Sequence, residues 1–336
     1  MWRIIKFGSL LIIIAFVSFF FWASSSNLHK DDYTNIIPLK NDSSHSLGKD
    51  TLSAMTYNIG FLSGMNNNKP LVLEEGLLAK NLISAQNLLK KWQPDVVGFQ
   101  EIDFNSSRSH NIDQMYAIAK GADYTYTARA INWDKKYIPF PYWPPSVQYG
   151  SILSGQGIIS IFNIVENQRI VFPKPEENPF YYNAFYIDRV AQIGEVEVQN
   201  QILIVINVHL EAYHYKTRVK QAKRLLDIYR KYAREYPVLL LGDFNSAPPF
   251  AKNKRKEDQA AKLFFEEPGL RSAITPSVYE EAEDLYLTFD SRDPYVKLDY
   301  IFYNSSHIHP IEARVLKEAG EISDHLPVYF SFTLKR

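Results

Sequence analysis

The 336-residue sequence contains no cysteine. This absence excludes disulfide bonds, thiolate nucleophiles and zinc sites that use cysteine ligands. Any bound metal ion must therefore have oxygen or imidazole ligands. A chain of this length can bury a core without disulfides, so the absence of cysteine does not place the protein inside the cell.

The sequence also lacks an excess of charge of either sign, because 37 Lys and Arg residues balance 37 Asp and Glu residues. Proteins that bind duplex nucleic acid mainly through its phosphates usually carry a basic excess. Net charge therefore argues against that class, although a local basic patch is compatible with it. The charged fraction of 22% and the hydrophobic fraction of 46% are typical of a globular protein.

One long apolar run covers residues 7–23; Arg3 and Lys6 precede it and three serines follow it. Its length is near the lower limit for crossing a bilayer, about 17 to 25 residues. A secretory signal peptide and a retained membrane anchor both fit this pattern. The bulky aromatic residues at 19–22 favour the anchor, because such residues are typical of a membrane interface. In either case the basic residues stay cytoplasmic and the rest of the chain is exported.

The remaining sequence predicts a linker and one domain. Residues 27–50 are polar and show little apolar periodicity, which predicts a linker after the N-terminal segment, residues 1–26. Residues 51–336 alternate short apolar runs with helical patterns and contain no second linker. We therefore expect a single domain there.

The predicted domain mixes strands and helices. Runs rich in β-branched and aromatic residues predict strands at 52–59, 95–100, 157–164, 185–198, 201–210, 238–241, 297–303 and 327–332. Helical spacing of apolar residues predicts helices over 71–92 and 214–235. The dipeptide Gln199-Asn200 is typical of a hairpin tip, so the sheet should be mixed rather than strictly parallel.

Polar residues of types that can bind metal ions or phosphate follow or end several of these apolar runs. Functional side chains are often displayed in this way on a rigid scaffold. Taken singly, each residue has a structural explanation: Gly242-Asp243 is a reasonable turn, and a lone His209 is more often a hydrogen-bonded histidine than a catalyst. The residues are Asn58, Glu101, His209, Asp243, Asn245, Asp299, Asp324 and His325.

In their order along the chain, these motifs resemble the endonuclease/exonuclease/phosphatase superfamily, which includes deoxyribonuclease I, abasic-site endonucleases and neutral sphingomyelinases. The resemblance extends from about residue 52 to the C-terminus. It implies an α/β fold: a four-layer α/β/β/α sandwich of two mixed, mainly antiparallel sheets flanked by helices. The motifs are Thr56-Tyr57-Asn58-Ile59, Gln100-Glu101, Asn207-Val208-His209-Leu210, Gly242-Asp243-Phe244-Asn245, Leu298-Asp299-Tyr300-Ile301 and Ser323-Asp324-His325-Leu326-Pro327.

The resemblance implies a hydrolase of phosphate esters that depends on Mg²⁺ or Mn²⁺. Hydrolysis of such an ester requires a nucleophilic water and neutralisation of charge on the phosphoryl oxygens. Glu101 is the first candidate for the metal ligand, with Asn58 and Asp324 beside it, because carboxylate and amide oxygens suit these hard cations.

The same resemblance implies roles for the catalytic residues. Asp243 would position or deprotonate the attacking water, and Asn245 would help to hold that water and the phosphate. His325 would donate to the phosphoryl oxygens, and Asp299 would fix its tautomer and orientation. His209 would make a second phosphate contact or serve as an acid.

The carboxylate partner of His209 is less clear from the sequence. Asp188, within Tyr186-Ile187-Asp188-Arg189, lies where the superfamily often has an acidic residue. We therefore expect Asp188 to orient His209.

The segment 132–145 is rich in proline and aromatic residues, which predicts neither a strand nor a helix. Two interpretations are equally supported. The segment is either a rim that contacts a bilayer or a substrate, or a loop that packs on itself. The residues concerned, called the aromatic rim below, are Trp133, Tyr137, Phe140, Tyr142 and Trp143.

These observations together predict a phosphodiesterase that acts outside the cytoplasm near a membrane. A phospholipid or sphingomyelin-like substrate is favoured over nucleic acid, and no protein partner is implied. A non-specific or structure-specific endonuclease is the first alternative. The second is a membrane-tethered, non-catalytic binding module, against which the intact set of motifs argues. The inositol-polyphosphate phosphatases are disfavoured, because residues 295–300 do not carry their Pro-Ala-Trp-Cys-Asp-Arg signature.

Overall fold

A computed structural model describes residues 2–40, 49–254 and 257–335. It contains two β-sheets and seven α-helices within those residues. The helices are α1 (Trp2–Ser24), α2 (Glu75–Trp92), α3 (Gln114–Gly121), α4 (Phe180–Asn183), α5 (Tyr215–Tyr232), α6 (Ala260–Glu266) and α7 (Pro276–Glu281). The strands are β1 (Thr34–Pro38), β2 (Leu52–Asn58), β3 (Val96–Asp103), β4 (Tyr126–Ile138), β5 (Gly150–Ser160), β6 (Asn163–Val171), β7 (Val190–Val198), β8 (Gln201–His209), β9 (Val238–Asp243), β10 (Leu270–Ser272), β11 (Asp299–Asn304), β12 (Ile308–Val315) and β13 (Val328–Leu334).

The strands form two mixed sheets. The first has the order β1-β4-β5-β3-β2-β13-β12, and the second has the order β10-β11-β9-β8-β7-β6. Only the β2/β3 and β8/β9 pairs are parallel; the other pairs are antiparallel. Gln199 and Asn200 both have positive φ, at 52° and 62°, and close the β7/β8 hairpin as the sequence predicts.

Three apolar cores separate the layers. One core lies between the two sheets and includes Leu241 and Phe330. A second packs α2 and α3 on the first sheet, and a third packs α5 and α6 on the second sheet. Each sheet is therefore buried on both faces, as in the predicted four-layer α/β/β/α sandwich, which is confirmed.

Some element boundaries differ from the sequence predictions. The apolar run 157–164 was expected to be one strand, but the chain turns at Ile161 and Phe162 and so divides the run between β5 and β6. Both halves are apolar because both contribute to the core between the sheets. The sequence patterns also do not reveal β1, β4, β10 and β12, whose mixed burial gives no clear apolar run.

The predicted linker over 27–50 requires a correction. Residues 34–38 form β1, which pairs with β4 at the edge of the first sheet. The backbone amides of Asn27 and Leu28 and the hydroxyl of Tyr33 all donate to the buried carboxylate of Asp134. Residues 27–40 thus belong to the folded domain, because two backbone amides and a tyrosine hydroxyl of this segment satisfy a buried acid. Residues 41–48 of the predicted linker lie outside the described residues.

The aromatic rim also differs from its prediction. Residues 132–138 continue β4 and pair with β5, so only the part after Ile138 is a turn and loop. The prolines that argued against a strand all follow the last paired residue, so they end the strand rather than prevent it.

Helix α1 is the one helix among the described residues that is long and apolar enough to cross a membrane. Ala23 is its only buried residue. Its C-terminal end is fixed to β4: Lys135 Nζ donates to Ser24 O over 2.7 Å, and the amide of Lys136 donates to Ser25 O over 3.0 Å. Phe19 packs edge-on against Tyr137 with ring centroids 5.7 Å apart.

Candidate active site

The candidate site lies where strands of both sheets end at the same edge of the sandwich. Asn58 ends β2, His209 ends β8 and Asp243 ends β9, while Asp299 begins β11, which runs antiparallel to β9. The pairing places Asp243 opposite both His209 and Asp299. Strand register therefore gathers residues that are up to 241 positions apart in the sequence, as Asn58 and Asp299 are.

Two site residues occupy backbone conformations that are rare for residues other than glycine. Glu101 has φ of 51° and lies where the β3/β5 register shifts between Phe99 and Ile102, which marks a bulge. Asn245 has φ of 50°. A bulge redirects a side chain, and such strained positions are concentrated at functional sites. The backbone at Glu101 thus turns this carboxylate towards the centre of the site.

Gly242 is required by the close approach of β9 to β8. Its φ is 144°, and a Cβ atom at this position would lie 2.0 Å from Val208 O. Gly242 lies within β9 rather than in a turn, so the structural explanation of Gly242-Asp243 as a turn dipeptide is excluded. Only glycine permits the pairing that sets Asp243 beside His209.

The carboxylate of Asp243 is the centre of the site. Its Oδ2 atom accepts a hydrogen bond from Asn58 Nδ2 over 3.0 Å and lies 3.4 Å from His209 Nε2 and 3.8 Å from His325 Nε2. Its Oδ1 atom accepts a hydrogen bond from the amide of Asn245 over 2.8 Å. The Asn245 side chain donates to Leu210 O over 3.0 Å. The structure thus brings five of the predicted residues together around one carboxylate.

His325 bridges two carboxylates. Its Nδ1 atom lies 2.9 Å from Asp299 Oδ2, and its opposite nitrogen faces Asp243. Burial lowers the pKa of His325, but the charges of Asp299 and Asp243 outweigh burial and hold this pKa well above its ordinary value. Burial raises the pKa of Asp243 to about 7, against the opposing charge of His325. His325 is therefore a protonated donor held beside a carboxylate that can exchange a proton near neutral pH.

A second group of oxygen atoms surrounds Asn67. Its Nδ2 atom donates to Glu101 Oε2 over 3.1 Å and to Asp324 Oδ2 over 3.3 Å, and Asn58 Nδ2 lies 3.3 Å from Glu101 Oε1. Within the described ranges, Glu101 Oε1 lies 3.8 Å from His209 Nε2, and neither carboxylate forms an ion pair with a lysine or arginine. Two carboxylates converge here on neutral amides, a donor set that fits a hard divalent cation.

Asp243, Asp299 and His325 form another cluster, with one potential ligand atom of each lying within 4.8 Å of the others. Here His325 already places its own positive charge between the two carboxylates, and its Nδ1 atom is occupied by Asp299. The charge of His325 also acts on Asp324, but Glu101 and Asp324 both receive hydrogen bonds from the amide of Asn67. The geometry thus separates two carboxylates bound by an amide, Glu101 and Asp324, from the Asp243 cluster, in which a histidine lies between two carboxylates.

The prediction that Asp188 orients His209 is corrected by the structure. Asp188 forms ion pairs at 3.1 Å with both Arg169 and Lys174, so each of its two carboxylate oxygens already has a basic partner. His209 instead directs Nε2 towards Asp243, and its Nδ1 atom is buried without a hydrogen-bond partner in the described structure. Burial, with the charge of Arg189, lowers the pKa of His209 well below its ordinary value, so this histidine is neutral.

Arg189 is a site residue that sequence reasoning missed. Its side chain is buried beside His209, and its Nε and Nη1 atoms have no hydrogen-bond partner among the described residues. The nearest acid is Glu211, with Oε2 at 3.8 Å from Nε. A buried guanidinium with free donors suits a phosphoryl oxygen. Arg189 directly follows Asp188 in the motif that predicted an acidic site residue, so its position in the sequence could have indicated a site residue.

The aromatic rim lies beside the site. Trp133, Phe140 and Tyr142 line a cavity of about 930 Å³ whose polar end contains Glu101 and His209. Tyr137 lies outside this lining and packs against α1, while Trp143 is 78% exposed. The loop part of the rim packs partly on itself, since Phe140 and Tyr142 have ring centroids 5.6 Å apart. The interpretation as a self-packed loop therefore describes part of the segment, while contact of the aromatic rim with a bilayer or a substrate stays a prediction.

A comparison with known protein families matches the part of the chain that forms the candidate site. A sequence model of the Endonuclease/Exonuclease/phosphatase family matches residues 55–325, a span that contains every residue of the site. No curated protein sequence matches the chain.

Solved structures with the same fold include three of different origin. An endonuclease/exonuclease/phosphatase from Beutenbergia cavernae DSM 12333 is 20% identical, with a TM-score of 0.59, and the match covers 85% of this chain and 72% of that one. D. rerio TDP2 complexed with a single-strand DNA product is 19% identical, with a TM-score of 0.57, over 85% of this chain and 100% of that one. The human Nocturnin catalytic domain with a bound sulfate anion is 17% identical, with a TM-score of 0.57, over 92% and 100% of the two chains.

Proposed function

Because the chain belongs to the Endonuclease/Exonuclease/phosphatase family, whose sequence model spans residues 55–325, we propose that it is a divalent-metal-dependent phosphodiesterase held by α1 at the outer face of the cytoplasmic membrane. The observation that carries the proposal is the position of Asp243. Its Oδ2 atom lies between two histidines, 3.4 Å from His209 and 3.8 Å from His325, beside an oxygen-rich cation site.

The cation is Mg²⁺ or Mn²⁺, and Glu101, Asp324 and Asn58 hold it. When bound, the ion neutralises charge on the phosphoryl oxygens of the substrate. Asn67 donates a hydrogen bond to each of the two carboxylates and so holds them beside each other.

The remaining residues move protons and bind the phosphoryl group. Asp243 orients the attacking water and accepts its proton, for which a pKa of about 7 is suitable. The backbone amide of Asn245 fixes the other oxygen of Asp243. His325, protonated and oriented by Asp299, donates to a phosphoryl oxygen, and the neutral His209 donates a second hydrogen bond. Arg189 adds a fixed positive charge beside His209.

The membrane location rests on α1. The helix is exposed along nearly all of its length, and Arg3 and Lys6 lie at its N-terminal end. The basic end of such a helix stays in the cytoplasm, which places the catalytic domain outside. Exposed apolar residues around the whole helix favour surrounding lipid over a water-exposed helix.

The test uses the full chain in phosphatidylcholine nanodiscs with bis(p-nitrophenyl) phosphate. We expect hydrolysis with Mg²⁺ or Mn²⁺, none after EDTA, and a loss of at least about 10²-fold in Asp243→Asn and His325→Ala. Arg292→Gln, which changes an exposed arginine paired with Glu321, is the control. Hydrolysis that survives EDTA, or that both site variants retain, would overturn the proposal.

A substrate panel separates the alternatives. It contains sphingomyelin, glycerophospholipids, plasmid DNA, abasic DNA and inositol phosphates. Preference for a lipid phosphodiester supports the proposed membrane substrate, while preference for plasmid or abasic DNA identifies an endonuclease instead. Lipid binding without hydrolysis of any substrate identifies a non-catalytic binding module.

A further inference from the structure

The cavity beside the site has one polar end and an otherwise aromatic and aliphatic wall. Glu101, Arg189 and His209 line the polar end, where the proposed function places the phosphoryl group. The rest of the lining is mostly apolar, and the volume of about 930 Å³ exceeds what a phosphoryl group needs. A ligand that fits both parts is an amphiphile with an anionic phosphoester head and an apolar body.

Helix α1 forms one wall of this cavity. Four residues from its last three turns line it: Phe16, Val17, Phe20 and Phe21. Phe20 packs edge-on against Phe185, with ring centroids 5.4 Å apart, and against Phe180 at 6.3 Å. The predicted anchor is therefore joined to the substrate side of the domain by aromatic packing.

The position of α1 on the domain is fixed by polar contacts as well. Lys135 and Lys136 hold the carbonyl groups of Ser24 and Ser25, and Asp134 accepts from the backbone amide of Asn27 over 2.7 Å. The helix enters the domain without an intervening flexible segment. A helix that lies in a bilayer thus brings the cavity to the bilayer surface.

Exposed aromatic residues surround the same region. Trp143 and Phe180 are each 78% exposed, and Tyr142 and Tyr181 are exposed beside them. Tryptophan and tyrosine favour the membrane-water interface, where one part of the ring is apolar and the other is hydrated. These side chains lie on the loop after β4 and on α4, next to the last turns of α1.

We propose that this cavity binds the hydrocarbon chain of a phosphoester that resides in the membrane, and that α1 is a wall of the substrate site as well as an anchor. The proposal rests on the proposed function, which places the phosphoester group at Asp243. The substrate reaches the cavity from the bilayer along α1 and keeps its chain in apolar surroundings while its head group enters the polar end.

Phe20→Ala and its matched control Phe19→Ala test this proposal in the full chain. Phe19 is the neighbouring aromatic residue of α1 but packs on Trp22 and Tyr137 rather than lining the cavity. The substrates are hexadecyl p-nitrophenyl phosphate and methyl p-nitrophenyl phosphate, assayed in phosphatidylcholine nanodiscs. The quantity measured is the ratio of their kcat/KM values. Partitioning into the nanodiscs is common to all variants and cancels in the comparison.

We expect Phe20→Ala to lower the hexadecyl-to-methyl ratio about tenfold and Phe19→Ala to keep it within about twofold of the wild-type value. Equal ratios in the two variants would overturn the proposal. If the wild-type chain hydrolyses neither ester, the proposed function is contradicted. A binding measurement then tests separately whether the cavity binds a hydrocarbon chain.

That measurement uses a hexadecyl phosphonate with a diazirine at the end of its chain, a probe that cannot be hydrolysed. After irradiation in nanodiscs, we expect labelled peptides from 133–142 and 180–187, and less label in Ala212→Trp, which fills part of the cavity. Ala212 lines the cavity with a small side chain. Label confined to the outer surface of α1, for example at Ile12, would overturn the proposal.

Discussion

Nδ1 of His325 lies 2.9 Å from Oδ2 of Asp299, and the two residues belong to different elements that meet only in the folded chain. Asp299 begins β11, and His325 lies between Asp324 and β13. The contact orients His325, stabilises its protonated form and points its other nitrogen at Asp243. One buried carboxylate thus orients the proton donor of the proposed reaction towards its base.

Asp299→Asn tests this orientation. An asparagine keeps the shape of the side chain but removes the negative charge beside Nδ1, so the pKa of His325 falls and its protonated form is less favoured. We expect kcat to fall by about 10²–10⁴-fold, as in other carboxylate-histidine pairs. Steady-state kinetics on bis(p-nitrophenyl) phosphate measure the effect, and circular dichroism verifies folding. A kcat within threefold of the wild-type value, taken as about the scatter of such assays, would contradict the assigned role.

The cation site makes a prediction that does not depend on activity. Mn²⁺ at 100 times its dissociation constant should stabilise the folded chain by about 2.7 kcal/mol, because only the folded state has the assembled ligands. Glu101→Gln should abolish this stabilisation, and Asp299→Asn should retain it. Thermal unfolding with and without Mn²⁺ gives the answer. The reverse result would move the cation to the cluster of Asp243, Asp299 and His325.

Lys297 makes the stability of the fold depend on pH. Its side chain is fully buried, and its ammonium group donates to Asp299 O over 2.8 Å. Burial lowers its pKa from 10.5 to about 7. Below pH 7 the lysine is charged in both the folded and unfolded states, so the folded state bears the whole cost of burying the charge. Between pH 7 and 10.5 only the unfolded state keeps the proton, and the free energy of unfolding therefore rises with pH.

Lys297→Met removes this dependence. Each pKa unit corresponds to about 1.4 kcal/mol, and the lost hydrogen bond offsets about 1 kcal/mol. We therefore expect the variant to be more stable than the wild-type chain by about 2–4 kcal/mol at pH 6, with the difference shrinking towards pH 10. Urea unfolding across this range measures it, with Lys90→Met, on the exposed face of α2, as the control. A difference that does not vary with pH would show that Lys297 keeps its proton in the folded state as it does in the unfolded state, and would contradict the lowered pKa.

Arg108 and Asp103 form a buried ion pair that supports the wall of the cavity. Two hydrogen bonds of 3.0 and 2.8 Å join them, and the guanidinium lies 3.7 Å from the centroid of the Phe61 ring. Asp103→Asn leaves Arg108 buried without a counter-charge, so we expect a loss of about 3–5 kcal/mol. Glu321→Gln breaks a similar two-bond pair with Arg292 at an exposed position and should cost no more than about 1 kcal/mol. If chemical denaturation shows that the two variants lose equal free energies of unfolding, the role assigned to burial is contradicted.

The domain boundary is testable by truncation. A chain that begins at residue 51 loses β1 and the donors from Asn27, Leu28 and Tyr33 to Asp134. A buried acid without donors costs about 1–3 kcal/mol, and the freed edge of β4 promotes association. We expect this chain to unfold at a lower temperature and to aggregate, whereas a chain that begins at residue 27 should stay monomeric. Light scattering and thermal unfolding distinguish them, and equal behaviour would restore the linker interpretation.

The sequence by itself determined the architecture and most of the site. Asn58, Glu101, His209 and Asp243 follow or end strong apolar runs, and such runs reveal strands because they are buried on both faces. The motifs at the ends of these runs therefore indicate the candidate site residues without any knowledge of tertiary contacts. Strands β1 and β4 escaped detection because an edge strand and its partially exposed neighbour lack that continuous apolar signal.

Only the tertiary structure decided which side chains meet. Asp188 and Arg189 are adjacent in the sequence, yet Asp188 pairs with Arg169 and Lys174 while Arg189 lies beside His209. Both residues lie directly before β7, outside any strand, and a sequence motif does not state to which side each of two adjacent side chains turns. Likewise, the apolar run of α1 indicated a membrane segment, but its place as a wall of the cavity depends on contacts with Phe180 and Phe185 that no local pattern encodes.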